Sequence, residues 1–454
     1  MTVSLRSISI PDFGVTAEQP HIPASIYEAR CKRAYERAGC TWLVVYADRE
    51  HLANIAFLTG FDPRFEEALF LLGPAGEKIL VVGNECAEYT PIAGLPGVTT
   101  MIAQTMSLMG QDRTRYPKLS AVLAEAGLAK GQSIGLVGWK YLEPEEMDDG
   151  EPGFFASSHM VDTLRRLAGD SAAVVDRTPV LMHPETGLRA IVDVHQIAAQ
   201  EWSATRASLA VWRIVSGTRV GETEFEAVSR MGYQGLPLGA HTMLSSSDAS
   251  ATLIGLRSPT TRPLGKGDGV TACVCYWGAL SARAGLISEG DDAFLQIAKS
   301  YFKGLVAWYE TADIGVTGGE IHARVVEVLA AGGLRSSLNP GHLVGHDEWV
   351  HTPVRPNSRE TIASGMPFQV DIIPTPVPQG QFLNCEDPVT FADGTLRSEL
   401  RQSYPETFAR IEARRTFMAD KLGVSVRENI LPMSSTPLCL APFWLRPDLL
   451  LGLD

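Results

Sequence analysis

Cysteine is scarce in this sequence, and long apolar runs are missing. The seven cysteines are odd in number and mostly lie in apolar stretches, which is typical of reduced thiols in a cytosolic protein rather than of a disulfide framework. Apolar runs such as 43–46 and 70–72 are far too short to cross a bilayer. The first residues contain no continuous apolar segment of the kind found in signal peptides. We therefore expect a cytoplasmic protein without membrane contacts.

An excess of basic residues is missing too. The chain has 39 Lys and Arg against 52 Asp and Glu, which gives a net charge of −13. Such a charge repels phosphate backbones, so nucleic acid is not an expected partner. With 454 residues, 45% hydrophobic and 20% charged, the chain is long enough for two globular domains.

The first part of the chain reads as an arm followed by an α/β domain. Residues 1–22 contain prolines without a hydrophobic period, which indicates an extended arm or a disordered end. Residues 23–188 alternate helical patterns with short apolar strands, for example at 42–46 and 78–82. This alternation predicts a twisted sheet covered by helices.

The second part predicts a larger domain and a tail. Residues 189–425 begin with a long helix at 194–216, contain another at 292–311, and then change to strands and turns rich in Gly and Pro. Residues 426–454 are apolar but broken by prolines. We expect an extended tail that packs on the body or on a second subunit.

Two thiols stand close together in the strand-like segment 267–277. Its alternation places Thr271, Cys273, Cys275 and Trp277 on one face. Two adjacent thiols can bind a soft metal. We favour the alternative of two small buried apolar residues, because structural zinc sites usually take Cys pairs from loops at a spacing of about two to four residues.

A histidine cluster follows at residues 339–351. Three of the ten histidines, His342, His346 and His351, lie there, with Asp347 and Glu348 between them. This composition indicates a site that handles protons or binds a ligand. The alternative is that these histidines are hydrogen-bonded core or surface residues.

Two carboxylates lie in apolar segments downstream. Asp371 is surrounded by apolar residues at 366–374, and Glu386 follows fifteen positions later. A buried, unpaired carboxylate is costly, so each should have a partner or a function. Two ordinary salt bridges would explain them equally well. Arg64, in the turn 60–66, lies between aromatic residues, where it could bind a carboxylate or stabilise the loop.

Taken together, these segments resemble the M24 superfamily of creatinase, prolidase and aminopeptidase P. Residues 47–60 are similar to its creatinase-type N-terminal domain, and Gly341-His342-x-x-Gly345 is similar to its Gly-His-x-x-Gly signature. Asp371 and Glu386 fall where the family has two glutamates. The resemblance covers about residues 24–420. It implies an α/β (α+β) protein with a creatinase-type N-terminal α/β domain, a C-terminal pita-bread domain and usually a homodimer.

The resemblance also implies a degenerate metal site. Metal-dependent members hold two divalent ions with two Asp, one His and two Glu. Here Cys273 replaces the first Asp, and the segment 281–284 has no carboxylate for the second. His342, Asp371 and Glu386 match the other three positions. We therefore expect no metal cofactor, with a single divalent ion at Cys273, His342, Asp371 and Glu386 as the alternative.

Creatinase, which works without metal, is similar at residues 278–283. Its catalytic His aligns with Arg257, and its substrate-binding Glu aligns with Ala282, next to Arg283. Arginines in these places would repel a guanidinium and would suit an anionic substrate.

The resulting hypothesis is a creatinase-like, metal-independent hydrolase or lyase that acts on a small anionic amide, amidine or amino-acid derivative. The alternatives are a mononuclear-metal Xaa-Pro dipeptidase-like enzyme and a catalytically inactive pita-bread protein that binds a peptide or metabolite. The residues expected to act are His342 and His351 as acid and base, Asp371 and Glu386 as orienting groups, Arg257, Arg283 and Cys273 as substrate contacts, and Arg64 from the neighbouring subunit.

Overall fold

The computed structural model describes residues 2–147 and 153–454, which divide into two units. Residues 21–190 form the smaller unit, and residues 1–20 with 191–454 form the larger one. The strands are, in chain order, β1 Val3–Ser7, β2 Trp42–Ala47, β3 Ala68–Leu72, β4 Lys78–Val82, β5 Thr99–Ile102, β6 Ile134–Val137, β7 Val174–Asp176, β8 Met243–Ser247, β9 Gly269–Tyr276, β10 Ala279–Leu286, β11 Arg335–Ser336, β12 His342–Leu343, β13 Pro367–Val370, β14 Pro374–Thr375, β15 Asn384–Phe391, β16 Ile430–Pro432 and β17 Leu449–Leu453.

The helices complete the element order. They are α1 Ala24–Ala38, α2 Ala53–Thr59, α3 Asn84–Ala87, α4 Leu119–Ala126, α5 Ser158–Ala168, α6 Pro179–Met182, α7 Val194–Gly217, α8 Glu224–Ser229, α9 Asp292–Thr311, α10 Gly318–Ala331, α11 Gly394–Ser403 and α12 Pro405–Leu422. Within residues 2–147 and 153–454, no helix is both long and apolar enough to span a bilayer.

The smaller unit is a sheet with helices on both faces. Its strand order is β5-β4-β3-β2-β6-β7, with β2, β6 and β7 parallel to one another. Every residue of β2 is buried. Alternate residues of this strand pack with α1 and α2 on one side and with α4 and α5 on the other, as expected for a strand buried on both faces.

The larger unit is built on one continuous path of antiparallel strands. Its order is β12-β13-β15-β10-β9-β8, with β16 paired to β15, and neighbouring strands are antiparallel. Helix α7 packs along β9 and β10, and α9 packs on α10. Asp193 caps α7 by accepting hydrogen bonds from the backbone N–H groups of His195 and Gln196, which fixes where the helix begins.

The N-terminal arm and the C-terminal tail belong to this larger unit rather than standing apart. Strand β1 pairs antiparallel with β17, from Val3 opposite Leu453 to Ser7 opposite Leu449. Strand β16 extends the main sheet, and the side chains between β16 and β17 include the fully buried Trp444 and Leu440. The tail therefore packs on the body of its own chain.

Candidate functional site

Strand register aligns the candidate site residues across the sheet. Cys273 on β9 pairs with Ala282 on β10, and Ala282 pairs with Glu386 on β15. On the far side of β15, Val370 pairs with Asp387, so the next residue, Asp371, comes level with Glu386. Because paired residues of neighbouring strands share a face, Cys273, Ala282 and Glu386 lie in one row across the same face of the sheet.

Three side chains converge at the end of this row. One ligand atom from each of His342, Asp371 and Glu386 can be chosen so that all lie within 4.8 Å of one another, and all three residues are buried. His342 joins from β12, where it pairs with Gln369 of β13. His342 lies on β12, Asp371 directly follows β13, and Glu386 lies on β15, so their proximity is a product of the fold rather than of local sequence.

Both ring nitrogens of His342 face oxygen acceptors. Nδ1 lies 3.2 Å from the carbonyl oxygen of Leu343, and Nε2 lies 3.0 Å from Oε1 of Glu348. Burial would lower the pKa of His342, but the neighbouring Glu348 and Asp371 carboxylates outweigh it and raise the pKa. The nearby carboxylates favour the charged imidazolium, and the contact of Nε2 with Glu348 is an ion pair rather than a well-aligned hydrogen bond.

An aromatic ring covers the histidine. The Trp349 ring stacks on His342 with centroids 4.0 Å apart and an interplanar angle of 20°. Trp349 itself is 41% exposed, whereas His342 is completely buried. A loop held closed by the backbone bonds between Leu343, Val350 and His351 carries this Trp. Glu348 and Trp349 thus form one layer between His342 and solvent.

The carboxyl groups of Asp371 and Glu386 are both buried. Glu386 Oε1 accepts a hydrogen bond of 3.0 Å from Gln369 Nε2. Within the described parts of the chain, Oδ1 of Asp371 is buried without a hydrogen-bond partner. Burial raises the pKa of Asp371 to about 7 and also raises that of Glu386, to which Asp371 and Glu348 add like-charge repulsion. The cluster therefore needs protons or a cation to balance its charge.

Cys273 lies on the same face but outside the cluster. It is two strands away from Glu386 and packs with Met243, Cys275 and Leu280 in a small apolar patch. Burial raises the pKa of its thiol well above the usual range. The predicted four-residue metal set is therefore reduced to three residues, and the thiols fit the description of small buried apolar residues.

The prediction that the Arg283 side chain points toward His342, Asp371 and Glu386 is wrong. Arg283 follows Ala282 on β10, so it points to the opposite face of the sheet. There its guanidinium donates 2.9 Å hydrogen bonds to both oxygens of Asp387, and it also donates to the carbonyl oxygen of Cys439. With 2% exposure, Arg283 is an internal structural cation.

Arg257 is also already paired. Its Nη2 donates a 2.7 Å hydrogen bond to Oε1 of Glu224, a buried carboxylate that also accepts from Ser246 and Thr260. The predicted pair of anion-binding arginines does not form, because Arg257 and Arg283 each balance a separate internal acid. Neither arginine is left to bind an anionic substrate, so the two residues no longer support that prediction.

The remaining predicted residues lie elsewhere. Arg64, in the smaller unit, has a left-handed backbone (φ 53°) and forms a 3.0 Å ion pair with Asp62, so its reach into a neighbouring subunit stays a prediction. His351 pairs through its backbone with Leu343. Its ring is not part of the three-residue cluster.

Three residues at the site carried no predicted role: Gln369, Glu348 and Trp349. Gln369 had a usable signal, since a polar residue two positions before Asp371 in an apolar strand must share its face. Glu348 was part of the histidine-rich segment, but its contact with His342 depends on loop geometry that spacing does not specify.

The fold matches solved peptidase structures, although the sequence has no close match. No protein-family model and no curated protein matches this chain. The prolidase from Pyrococcus horikoshii OT3 is 14% identical with a TM-score of 0.63, over 80% of this chain and 95% of that one. The Xaa-Pro dipeptidase from Bacillus anthracis is 15% identical with a TM-score of 0.60, over 82% and 96%. The dipeptidase PepE from Mycobacterium ulcerans is 18% identical with a TM-score of 0.57, over 82% and 95%.

At these identities the likeness establishes the fold. The predicted mixed α/β class is confirmed, and so is the predicted pita-bread fold, which this chain shares with these prolidase and dipeptidase structures.

The donor set fits one divalent cation better than a bridged pair. Asp371 offers a buried oxygen without a hydrogen-bond partner in the described residues, and His342 and Glu386 complete three donors. A bridged pair needs further carboxylates on the neighbouring strands. On the face shared with Glu386, β9 and β10 instead have Cys273, Ala282 and Ala284. The residues therefore do not fit a dinuclear centre.

Proposed function

We propose that the larger unit is a hydrolase that cleaves the C–N bond of a small amide at the cluster of His342, Asp371 and Glu386. The observation that carries this proposal is the convergence of one imidazole and two carboxyl groups within 4.8 Å on buried strands. Such a group can take a proton from water and give one to a leaving nitrogen. The shared fold with structures named as prolidases and dipeptidases supports the same class of reaction.

In the metal-independent form of this proposal, the protein supplies both proton transfers. Asp371, with its pKa near neutral and a free oxygen, takes the proton of the attacking water as the new C–O bond forms. His342 gives its proton to the nitrogen as the C–N bond breaks. The substrate must first take the place of Glu348 at Nε2.

A single divalent cation is the second form of the proposal. His342, Asp371 and Glu386 would hold it, and it would supply positive charge to the oxygen of the scissile carbonyl. The oxygen of Asp371 that has no hydrogen-bond partner in the described residues is open to such a cation.

The substrate we propose is a neutral or amine-bearing small amide rather than an anionic one. The charged groups that surround His342 are the carboxyls of Asp371, Glu386 and Glu348, and both candidate arginines are paired elsewhere. An anion would meet like charge in a low-dielectric site.

The test is turnover of a panel of Xaa-Pro dipeptides and small amides, with chelator and with one added divalent ion at a time. We expect turnover that survives chelation and falls by about a hundredfold or more in His342→Ala and Asp371→Asn, as for loss of an acid or base. Glu399→Gln, an exposed acid on α11, is the control. Loss with chelator and recovery with metal would favour the single-cation form. Absence of turnover across the panel would favour a binding protein.

A further inference from the structure

A second cavity lies on the opposite face of β9, away from the cluster described above. It has a volume of about 230 Å³, is partly open to solvent, and is lined by residues of α7, β9, residues 231–236 and Val15. Arg206, Leu209 and Arg213 of α7 line it at the i, i+3 and i+7 spacing of one helical face. Tyr276, at the end of β9, closes its floor.

The Tyr276 hydroxyl is the first sign of a ligand. Tyr276 is 4% exposed, yet within residues 2–147 and 153–454 its hydroxyl forms no hydrogen bond. The hydroxyl is not among the fully buried polar atoms of the described residues, so it opens onto the cavity that Tyr276 lines, where a ligand can accept its hydrogen bond. The charges of Arg206 and Arg213 both act on this hydroxyl, so it faces the same space as the two guanidinium groups.

The two arginines are the second sign. In the described part of the chain, neither makes an ion pair with a carboxylate. Arg206 stacks on Trp202 at 3.8 Å and donates to the carbonyl oxygens of Thr16 and Ala17, both at 2.8 Å. These bonds hold its guanidinium in place and leave other N–H groups for the cavity.

Arg213 has still more donors to spare. Within the described part of the chain it makes one hydrogen bond, of 3.2 Å, from Nη1 to the carbonyl oxygen of Met231. The neighbouring acid, Glu201, is already engaged by Arg410 and Arg414 at 2.7 and 2.6 Å. Neither arginine is therefore neutralised within its surroundings, although the chain as a whole has a net charge of −13.

We propose that this cavity is a binding site for a small organic carboxylate. Arg206, Arg213 and Tyr276 all present N–H or O–H donors, which match the acceptor oxygens of a carboxylate. Val15, Leu209 and Leu236 supply apolar walls beside them, which suit a short hydrocarbon body and give inorganic phosphate nothing to contact. The volume is several times that of a water molecule, roughly 30 Å³, and fits a molecule of metabolite size.

The test is isothermal titration of the full-length protein with 4-methylpentanoate and, separately, with inorganic phosphate. We expect the carboxylate to bind and phosphate to bind more weakly. Arg213→Ala should weaken carboxylate binding by roughly tenfold or more, and Tyr276→Phe by roughly three- to tenfold, from loss of a charged and a neutral hydrogen bond. Arg219→Ala, which removes an exposed arginine just beyond α7, should bind as the unaltered protein does.

Three results would overturn the proposal. These are no binding of the carboxylate at millimolar concentration, unchanged binding in Arg213→Ala, or phosphate binding at least as tight as the carboxylate. Arg213 is exposed, so its variant should fold, and an unchanged melting temperature without ligand verifies this.

Discussion

Glu386 and Asp387 are neighbours on β15, yet they serve opposite faces of the sheet. Glu386 joins His342 and Asp371 in the buried cluster, while Asp387 accepts both 2.9 Å hydrogen bonds from Nη2 of Arg283. The Arg283–Asp387 pair therefore supports the strand that carries Glu386 without entering the site itself. Removal of this ion pair should lower the stability of the fold. It should affect the reaction only indirectly, by displacing Glu386.

We predict that Arg283→Ala destabilises the protein by about 3–5 kcal/mol, because it leaves Asp387 buried without its cation. The double variant Arg283→Met/Asp387→Leu should recover much of this loss, since it removes both charges from the interior. Urea unfolding at neutral pH measures both free energies. A loss below about 1 kcal/mol in the single variant, the size expected for an exposed pair, would contradict the structural role.

The misplacement of Arg283 shows what the sequence could and could not predict. The helices expected at 194–216 and 292–311 are α7, Val194–Gly217, and α9, Asp292–Thr311, because long amphipathic periods and caps are local signals. The face of Arg283 was also predictable. A tight Trp277-Gly278 turn pairs Tyr276 with Ala279 and hence Cys273 with Ala282, which sends Arg283 to the other side.

The contacts of Glu348 and Trp349 with His342 could not be predicted from the sequence. Asp371 and Glu386 stood out because isolated acids in apolar strands are costly, and the structure brings them together. Glu348 and Trp349 lie in a loop, where backbone geometry rather than hydrophobic period decides which side chain meets the ring of His342. No period of two or 3.6 residues encodes such a contact.

Acid should weaken the fold through Glu201. Burial alone would raise the pKa of Glu201, but Arg414 and Arg410 outweigh it and lower the pKa below its usual value. A depressed pKa stabilises the folded state above the unfolded pKa of about 4.3. That contribution is lost as the pH falls through the lower folded value.

We therefore expect the free energy of unfolding to decrease steeply below about pH 4.3. Glu201→Gln should be less stable at neutral pH, and its free energy of unfolding should depend less on pH in acid. Urea unfolding between pH 3 and 7 measures this, with Glu399→Gln as an exposed control. Equal acid slopes in Glu201→Gln and the unaltered protein would contradict the role of the ion pairs.

Thiol reactivity should follow burial. Of the seven cysteines, Cys40 is half-buried and the others are buried; burial raises the pKa of Cys273 and Cys275 well above the usual range. We predict that a disulfide reagent modifies about one thiol in the native protein and all seven in denaturant. Cys40→Ser should remove the native reaction. Rapid modification of Cys273 would instead indicate an accessible, activated thiol at the site.

The tail should be needed for folding of its own chain. Deleting residues 430–454 removes β16 from the sheet and the partner of β1, and it takes away the buried Leu440 and Trp444. We expect the truncated protein to be insoluble or to melt well below the full chain, as measured by circular dichroism.

The twofold homodimer remains a prediction, for which light scattering should give twice the chain mass of 49.1 kDa.

The last prediction concerns the 3.0 Å contact between Glu348 Oε1 and Nε2 of His342. The Glu348 carboxylate raises the pKa of His342 and so favours the protonated imidazolium, and a protonated nitrogen cannot ligate a cation. Nδ1 faces the carbonyl oxygen of Leu343 at 3.2 Å, so Nε2 is the nitrogen open to a ligand once Glu348 leaves. Glu348 thus competes with any cation for His342.

Glu348→Ala should therefore tighten binding of Mn²⁺ or Zn²⁺ at the cluster by roughly tenfold or more, because the carboxylate that competes for the His342 ring is removed. His342→Ala should abolish that binding, and Glu399→Ala removes the same charge from an exposed position on α11 as the control. Titration against a fluorescent chelator gives the affinities, and elemental analysis gives the number of ions per chain. Weaker binding in Glu348→Ala would mean that Glu348 is itself a ligand. In that case this carboxylate, supplied from the loop, would replace one of those missing from β9 and β10.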